Sequence, residues 1–206
     1  MSQKNLQGGS VTITATGTIQ QEPTQGVIYV YANGTGGTEK IANDNLSLTL
    51  EILNTSMLKY VGGNLSNINT QSYYVNKIKN SSTYQAVEYL ELTITNVNNM
   101  SSAINTLSKI NNTYINGAYA QLSPEQIKQM RNQALSQALS NATSQAEVLE
   151  NNASLTVENI TVGQPRFPVF IASQTSSAYT ITQNKQLFYY GEQGLTESIT
   201  VTFSKS

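Results

Sequence analysis

SPEQIKQMRNQALSQALSNATSQAEVLEN, residues 123–151, is the stretch that decides the fold class. Ser123 stands at a helix N-cap, Pro124 at the first helical position, and Gln126 three residues after the cap can return a hydrogen bond to it. A long helix is expected to start there and to run to about Asn151. Ala134, Ala138, Ala142 and Ala146 form a four-residue file beside Leu135, Leu139 and Leu149. Small residues in such a file let a helix lie close to a sheet or another helix, so the file reads as a packed core face.

Outward from this helix the pattern changes period. Val11-Thr-Ile-Thr-Ala-Thr-Gly-Thr-Ile19 alternates apolar residues with Thr, and Val27-Ile-Tyr-Val-Tyr-Ala32 follows a Pro/Gly turn, so the two read as paired strands. Asn33-Gly-Thr-Gly-Gly37 reads as a turn. Leu46, Leu50, Leu53 and Met57 then share one helical face, predicting a helix over about 38–60 that Gly62-Gly63 stops. Strands are expected near 70–78 and 84–95 with Asn80-Ser-Ser82 at the hairpin tip. A short helix is expected around Met100, Ile104 and Leu107, and a strand near 113–121. Strands are again expected at 155–162 and 197–203, with 163–195 an irregular excursion containing some strand. The expected class is α+β: mainly antiparallel sheet packed against about three helices. Residues 1–10, with Gly8-Gly9, read as a flexible N-terminal arm, and 11–206 as a single domain.

The order and spacing of these blocks resemble the SIMPL (DUF541) family of secreted and periplasmic proteins. Val11 to Gly17, Pro23 and Val27 to Tyr31 resemble its opening strands. Ile115-Asn-Gly117, Leu122-Ser-Pro124, Arg131-Asn-Gln-Ala134, Ala146-Glu-Val-Leu149 and Val157-Glu-Asn-Ile160 resemble its central block, and Glu197 to Phe203 its last strand. Most charged helix residues are replaced here by Asn, Gln and Ser. Thr24 stands where an acidic residue often follows the turn proline. The resemblance implies an α+β fold, export and an ability to oligomerise, and it carries no catalytic residues across.

Function classes are narrowed by what the chain lacks. Charged residues are 11% of the sequence, the net charge is −1, and His and Cys are both absent. No field attracts nucleic acid, and no disulfide, thiolate nucleophile or zinc finger is available. With no histidine, stability is expected to be nearly flat between about pH 5 and pH 8. No apolar stretch is long enough for a membrane span, and the polar start implies either a removed signal peptide or a cytosolic protein. Ser108-Lys109 and Ser204-Lys205 are adjacent pairs that do not face each other, and Glu88/Glu91 and Glu147/Glu150 read as solvated surface. Asp44 is the only aspartate. Asn33 to Gly37 lacks the Lys-Ser/Thr of a phosphate loop. No catalytic, cofactor or metal residues are assigned, and a non-enzymatic role is expected.

Ten Asn-x-Ser/Thr sequons point instead to a glycosylated surface: Asn33, Asn45, Asn54, Asn64, Asn80, Asn99, Asn111, Asn141, Asn152 and Asn159. Of these, Asn33, Asn64 and Asn80 fall at expected turns, while Asn54 and Asn141 flank helix faces. Twelve tyrosines, including Tyr73-Tyr74 and Phe188-Tyr189-Tyr190, suit either half-buried strands or an assembly surface. The expected partners are N-linked glycans and further copies of the chain. Val11, Ile13, Ala15, Gly17 and Ile19 form the apolar face of a first strand that pairs within its own chain or is donated to a neighbour. The expectation is an extracellular or cell-surface, pilus-like filament subunit. The alternative is an envelope stress-defence or ligand-binding accessory protein.

Overall fold

The computed structural model describes residues 9–149, 155–164, 166–170 and 191–205. In chain order the elements are β1 (Ser10–Gln21), β2 (Gln25–Gly36), α1 (Glu39–Met57), β3 (Ile68–Lys77), β4 (Tyr84–Ile94), α2 (Met100–Leu107), β5 (Thr113–Gln121), α3 (Pro124–Leu149), β6 (Leu155–Val162), β7 (Arg166–Phe170) and β8 (Gln193–Lys205). All strand pairings are antiparallel and the class is α+β. Within the expected excursion, β7 and the start of β8 are strand, and 171–190 lie outside the described residues, as do 1–8 of the expected arm.

The chain divides into two compact units. In the first, β1, β8 and β6 form a sheet in that order, and β7 runs along the side of β8 that β6 occupies. The alternation read at Val11 to Ile19 is a one-sided strand. Ile13, Ala15 and Gly17 are buried, while Thr12, Thr14, Thr16 and Thr18 are exposed. Thr12, Thr14 and Thr18 meet Thr202, Thr200 and Thr196 hydroxyl to hydroxyl at 3.1, 3.0 and 2.9 Å, laddering the solvent face. On the inner face lies α3, with Ala134, Ala138, Ala142 and Ala146 fully buried. Gly17 explains the small residues, because a Cβ there would run into the backbone of Ala134 and Ala138. Helix and strand touch backbone to backbone.

Glu197 of β8 is the one fully buried charged side chain among the described residues, directly across from Gly17. Its Oε1 lies 2.7 Å from Arg131 Nε of α3. The N–H is not aimed for a hydrogen bond, and Oε2 has no partner among the described residues, so the ion pair carries the compensation. Gln126 of α3 donates to Glu22 O at 2.8 Å, Thr18 N–H donates to Gln137 Oε1 at 2.8 Å, and Asn141 donates to Thr16 O at 2.9 Å. Polar side chains of the helix thus occupy part of the outward backbone edge of β1.

The second unit is a sheet in the order β3-β4-β2-β5 with α1 and α2. Its core joins Ile28 and Val30 of β2, Leu90, Leu92 and Ile94 of β4, Leu53 and Met57 of α1, and Met100, Ala103 and Leu107 of α2. Thr38 caps α1 by accepting from Ile41 N, and Gly62 and Gly63 follow it at φ +70° and +73°, where a glycine costs least. One expectation is overturned. Asn33 to Gly36 are not a turn but the end of β2, paired with Val87, Ala86, Gln85 and Tyr84. The glycines serve packing, since a Cβ at Gly34 would strike the backbone of Ala42 and Leu46, and one at Gly36 would strike Ile41.

Replacing Arg131 with Met should cost about 3 kcal/mol, because it strands the Glu197 carboxylate in an apolar site. Most of that loss should return in Arg131→Met combined with Glu197→Met, measured by urea unfolding of the four corners of the cycle. Equal losses in the single and double variants would show that the pair is not what holds α3 on β8.

Candidate functional site: sequons, sheet edges and the tyrosine face

Nine of the ten sequons fall among the described residues, and folding has treated them differently; Asn152 lies outside. Asn33 is 8% exposed within β2, flanked by two paired strands, so no glycan fits there in the folded chain. Asn45 donates its side-chain nitrogen to Thr35 O at 2.7 Å and Asn141 donates its own to Thr16 O, so both amides are already engaged. Asn54 is half-buried on α1. Asn64, Asn80, Asn99, Asn111 and Asn159 are exposed. Asn64 heads a turn in which its Oδ1 accepts from Ser66 N at 3.0 Å, leaving the nitrogen outward. Asn80 adopts φ +61° at the β3–β4 hairpin tip, a conformation asparagine tolerates better than most residues. Asn111 precedes Thr113, whose hydroxyl donates to Leu107 O and Ile110 O. Asn159 follows a bulge in β6.

The proposed assembly face of β1 is paired in the same chain. Val11, Ile13, Ala15, Gly17 and Ile19 stand opposite Phe203, Val201, Ile199, Glu197 and Leu195, and the ladder runs from Ser10↔Ser204 to Gln21↔Gln193.

On the outer face of the second sheet the tyrosines gather into a ladder that their sequence spacing did not reveal. Tyr74 of β3, Tyr89 of β4, Tyr31 of β2 and Tyr114 of β5 follow one another across all four strands, with ring centroids 6.2, 5.7 and 4.6 Å apart. The last pair is stacked at 14°. Tyr29 and Tyr119 make a second rung, hydroxyl to hydroxyl at 3.4 Å. The hydrogen bond between the two phenols raises the Tyr29 pKa most, and burial and the nearby Glu91 charge add to the effect, so it is pushed up from 10.0 to about 12. By contrast Tyr73 points to the helix side, donating to Asn43 Oδ1 at 2.6 Å. Phe188-Tyr189-Tyr190 lie outside the described residues.

The candidate chemical pairs are separated. Thr70 donates to Glu88 at 2.6 Å and Gln71 to Glu91 at 3.3 Å, so the two carboxylates keep different partners. Ser108 donates its hydroxyl to Ile104 O at 2.8 Å rather than facing Lys109. Glu150 and the side chain of Lys205 lie outside what the structure describes, and Asp44 is bound to Lys40 at 2.7 Å on the exposed side of α1. Among the described residues no group of three His, Cys, Asp or Glu is placed to hold a metal, and no helix is long and apolar enough to cross a membrane. A cleft of about 630 Å³ lies in the second unit, where Leu48, Thr49 and Ile52 of α1 face Lys109, Ile110 and Asn111.

The family model SIMPL, described as "Protein of unknown function (DUF541)", matches residues 11–203, and the chain belongs to that family. No curated protein matches it. A solved structure described as that of an unknown protein from Galdieria sulphuraria is similar over 89% of this chain and 84% of that one, at 9% identity and a TM-score of 0.21.

Two outcomes follow from this geometry. Glycopeptide mass spectrometry of native material should find Asn64, Asn80 and Asn99 occupied and Asn33 bare; sugar on Asn33 would show that β2 ends before it. In a phenolate absorbance titration one tyrosine should ionise near pH 12, because its neutral form is the one stabilised, and Tyr119→Phe should move that step back towards 10. No movement would mean that the two phenols are not coupled.

Proposed function

We propose that this SIMPL protein is a non-enzymatic, exported, N-glycosylated cell-surface protein that self-associates into an extracellular, pilus-like filament. The observation that carries the reading is the placement of its sequons. Asn64, Asn80, Asn99, Asn111 and Asn159 are exposed and stand on different elements of both units, as a sugar-coated surface requires. In support, a chain without His or Cys has few ways to activate a nucleophile, and Ser108 is committed to a backbone carbonyl.

For joining subunits, β1 is the proposed exchange element. The twelve cross-strand pairs it makes with its own β8 would be made equally well with the β8 of a neighbour, along with the bonds from Gln137 and Asn141. Exchange therefore costs the opening of a hinge rather than the loss of contacts. Head-to-tail exchange gives an open filament unless the rotation closes a ring.

The second reading, a ligand-binding or stress-defence accessory protein, rests on the cleft beside α1. Its size of about 630 Å³ is that of a small-molecule site, with apolar Leu48 and Ile52 opposite the single charge of Lys109.

Electron microscopy of native material separates the two, with long polymers expected for the first and a monomer or small closed ring for the second. Deleting residues 1–19 should abolish polymers and leave a groove that a peptide of residues 9–21 refills. Polymers that persist after the deletion would refute donation of this strand.

A further inference from the structure

The two edges of the first sheet differ. At β1 the outward backbone is partly occupied by Gln137 and Asn141 of α3, and Gln126 bonds Glu22 just beyond the strand. At the other edge, β6 pairs only with β8 among the described residues, so its outer row of N–H and C=O groups faces no strand. Its side chains are also uncovered. Val157, Ile160 and Val162 stand opposite Phe203, Val201 and Ile199, the buried residues beneath α3, and opposite residues share a face. Yet they are 45%, 45% and 46% exposed, because α3 lies over β1 and β8 and only Leu155 of β6 packs into that core. The apolar face of the sheet thus runs past the helix and stops in water.

The residue order of β6 says what covers it. Leu155-Thr-Val-Glu-Asn-Ile-Thr-Val162 is a palindrome in residue type: apolar-Thr-apolar, then Glu-Asn, then apolar-Thr-apolar. The bulge that skips Glu158 between Val157 and Asn159 sits at its centre. That extra residue brings Val157 and Ile160, three apart, onto the same face, as a regular strand would not.

We propose that β6 pairs antiparallel with β6 of a second copy of this chain about a two-fold axis through the bulge. Leu155 then meets the partner's Val162, Thr156 its Thr161, Val157 its Ile160, and Glu158 its Asn159. Each bulge faces the other, so the residue count matches on both strands and no register is lost. The two Glu158 carboxylates are not directly opposed, which avoids the like-charge penalty of most self-pairings. Both apolar strips fall on one side, and β1-β8-β6 becomes a six-stranded sheet, an ordinary size. Asn159 lies opposite Thr202 on the other face, so its side chain leaves the apolar strip clear. The contact is isologous and closes at two copies, and it adds to the self-association proposed above, on which it rests.

Because the chain has no cysteine, the pairing can be read directly. Full-length Thr156→Cys/Thr161→Cys should give a covalent dimer under mild oxidant, while the same pair at Asn76 and Gln85, on neighbouring strands of one chain, should not. Ile160→Lys should raise the dimer dissociation constant at least about tenfold by sedimentation equilibrium, since it places two ammonium groups in the apolar strip. Its melting curve should match that of the parent chain at concentrations where both are monomeric, because Ile160 is already half in water. If the parent chain associates but the 156/161 variant stays uncross-linked and Ile160→Lys associates equally well, this interface is wrong and self-association stands. A parent chain that is monomeric at every concentration overturns both.

Discussion

How closely α3 can approach β1 sets the architecture of the first unit. At Gly17 the strand and helix backbones meet with no room for a Cβ, and every helix residue on that line, from Ala134 to Ala146, is an alanine. A close-packed alanine ridge gains contact per residue but is narrow. It seals the inner face of β1 and β8 and leaves β6 beyond its reach. The buried Glu197 belongs to the same constraint. Across the ladder from Gly17, β8 carries a long polar side chain, and Arg131 reaches it from the helix. A buried ion pair contributes little net stability but penalises any other register, since a slip of one residue would put Glu197 on the solvent face and leave Arg131 without its partner.

The second unit solves the same packing problem as the first does at Gly17, with glycines on the strand. Gly34 and Gly36 of β2 take α1 at contact distance, while Leu46, Leu53 and Met57 fill the space on either side. With the inner face filled, the outer face need only be soluble, and tyrosine provides this with ring against ring and hydroxyls in water. Ile41, Leu48 and Ile52 remain exposed on α1, where its apolar content exceeds what one buried stripe needs.

What was legible in the sequence followed from local rules. Pro124 after Ser123, the four-residue alanine file and the Thr alternation at 11–19 report their own surroundings, and α3 and β1 fall where these place them. Asn33-Gly-Thr-Gly misled because glycine has two uses. Turn formation and close approach of a helix give the same letters, and only the helix packed against β2 tells them apart. The engaged amides of Asn45 and Asn141 were equally hidden, since a sequon's hydrogen-bond partner lies far away in the chain, at Thr35 or Thr16. The tyrosine ladder was hidden for the same reason, because its four rings come from four strands.

A chain with so few charges must protect its sheet edges by other means. Lysines on an edge strand are the usual defence against unwanted pairing, and here β1 and β6 carry none. At β1 the defence is the amide side chains of α3, which occupy backbone groups a foreign strand would need, so a strand added there would have to displace them. At β6 the described residues provide no such cover, only one glutamate at a bulge and a sequon on the face away from the apolar strip. An edge guarded by its own helix favours exchange, and an edge left bare with a self-complementary sequence favours addition. The two modes need different surfaces, so one sheet can offer both without competition.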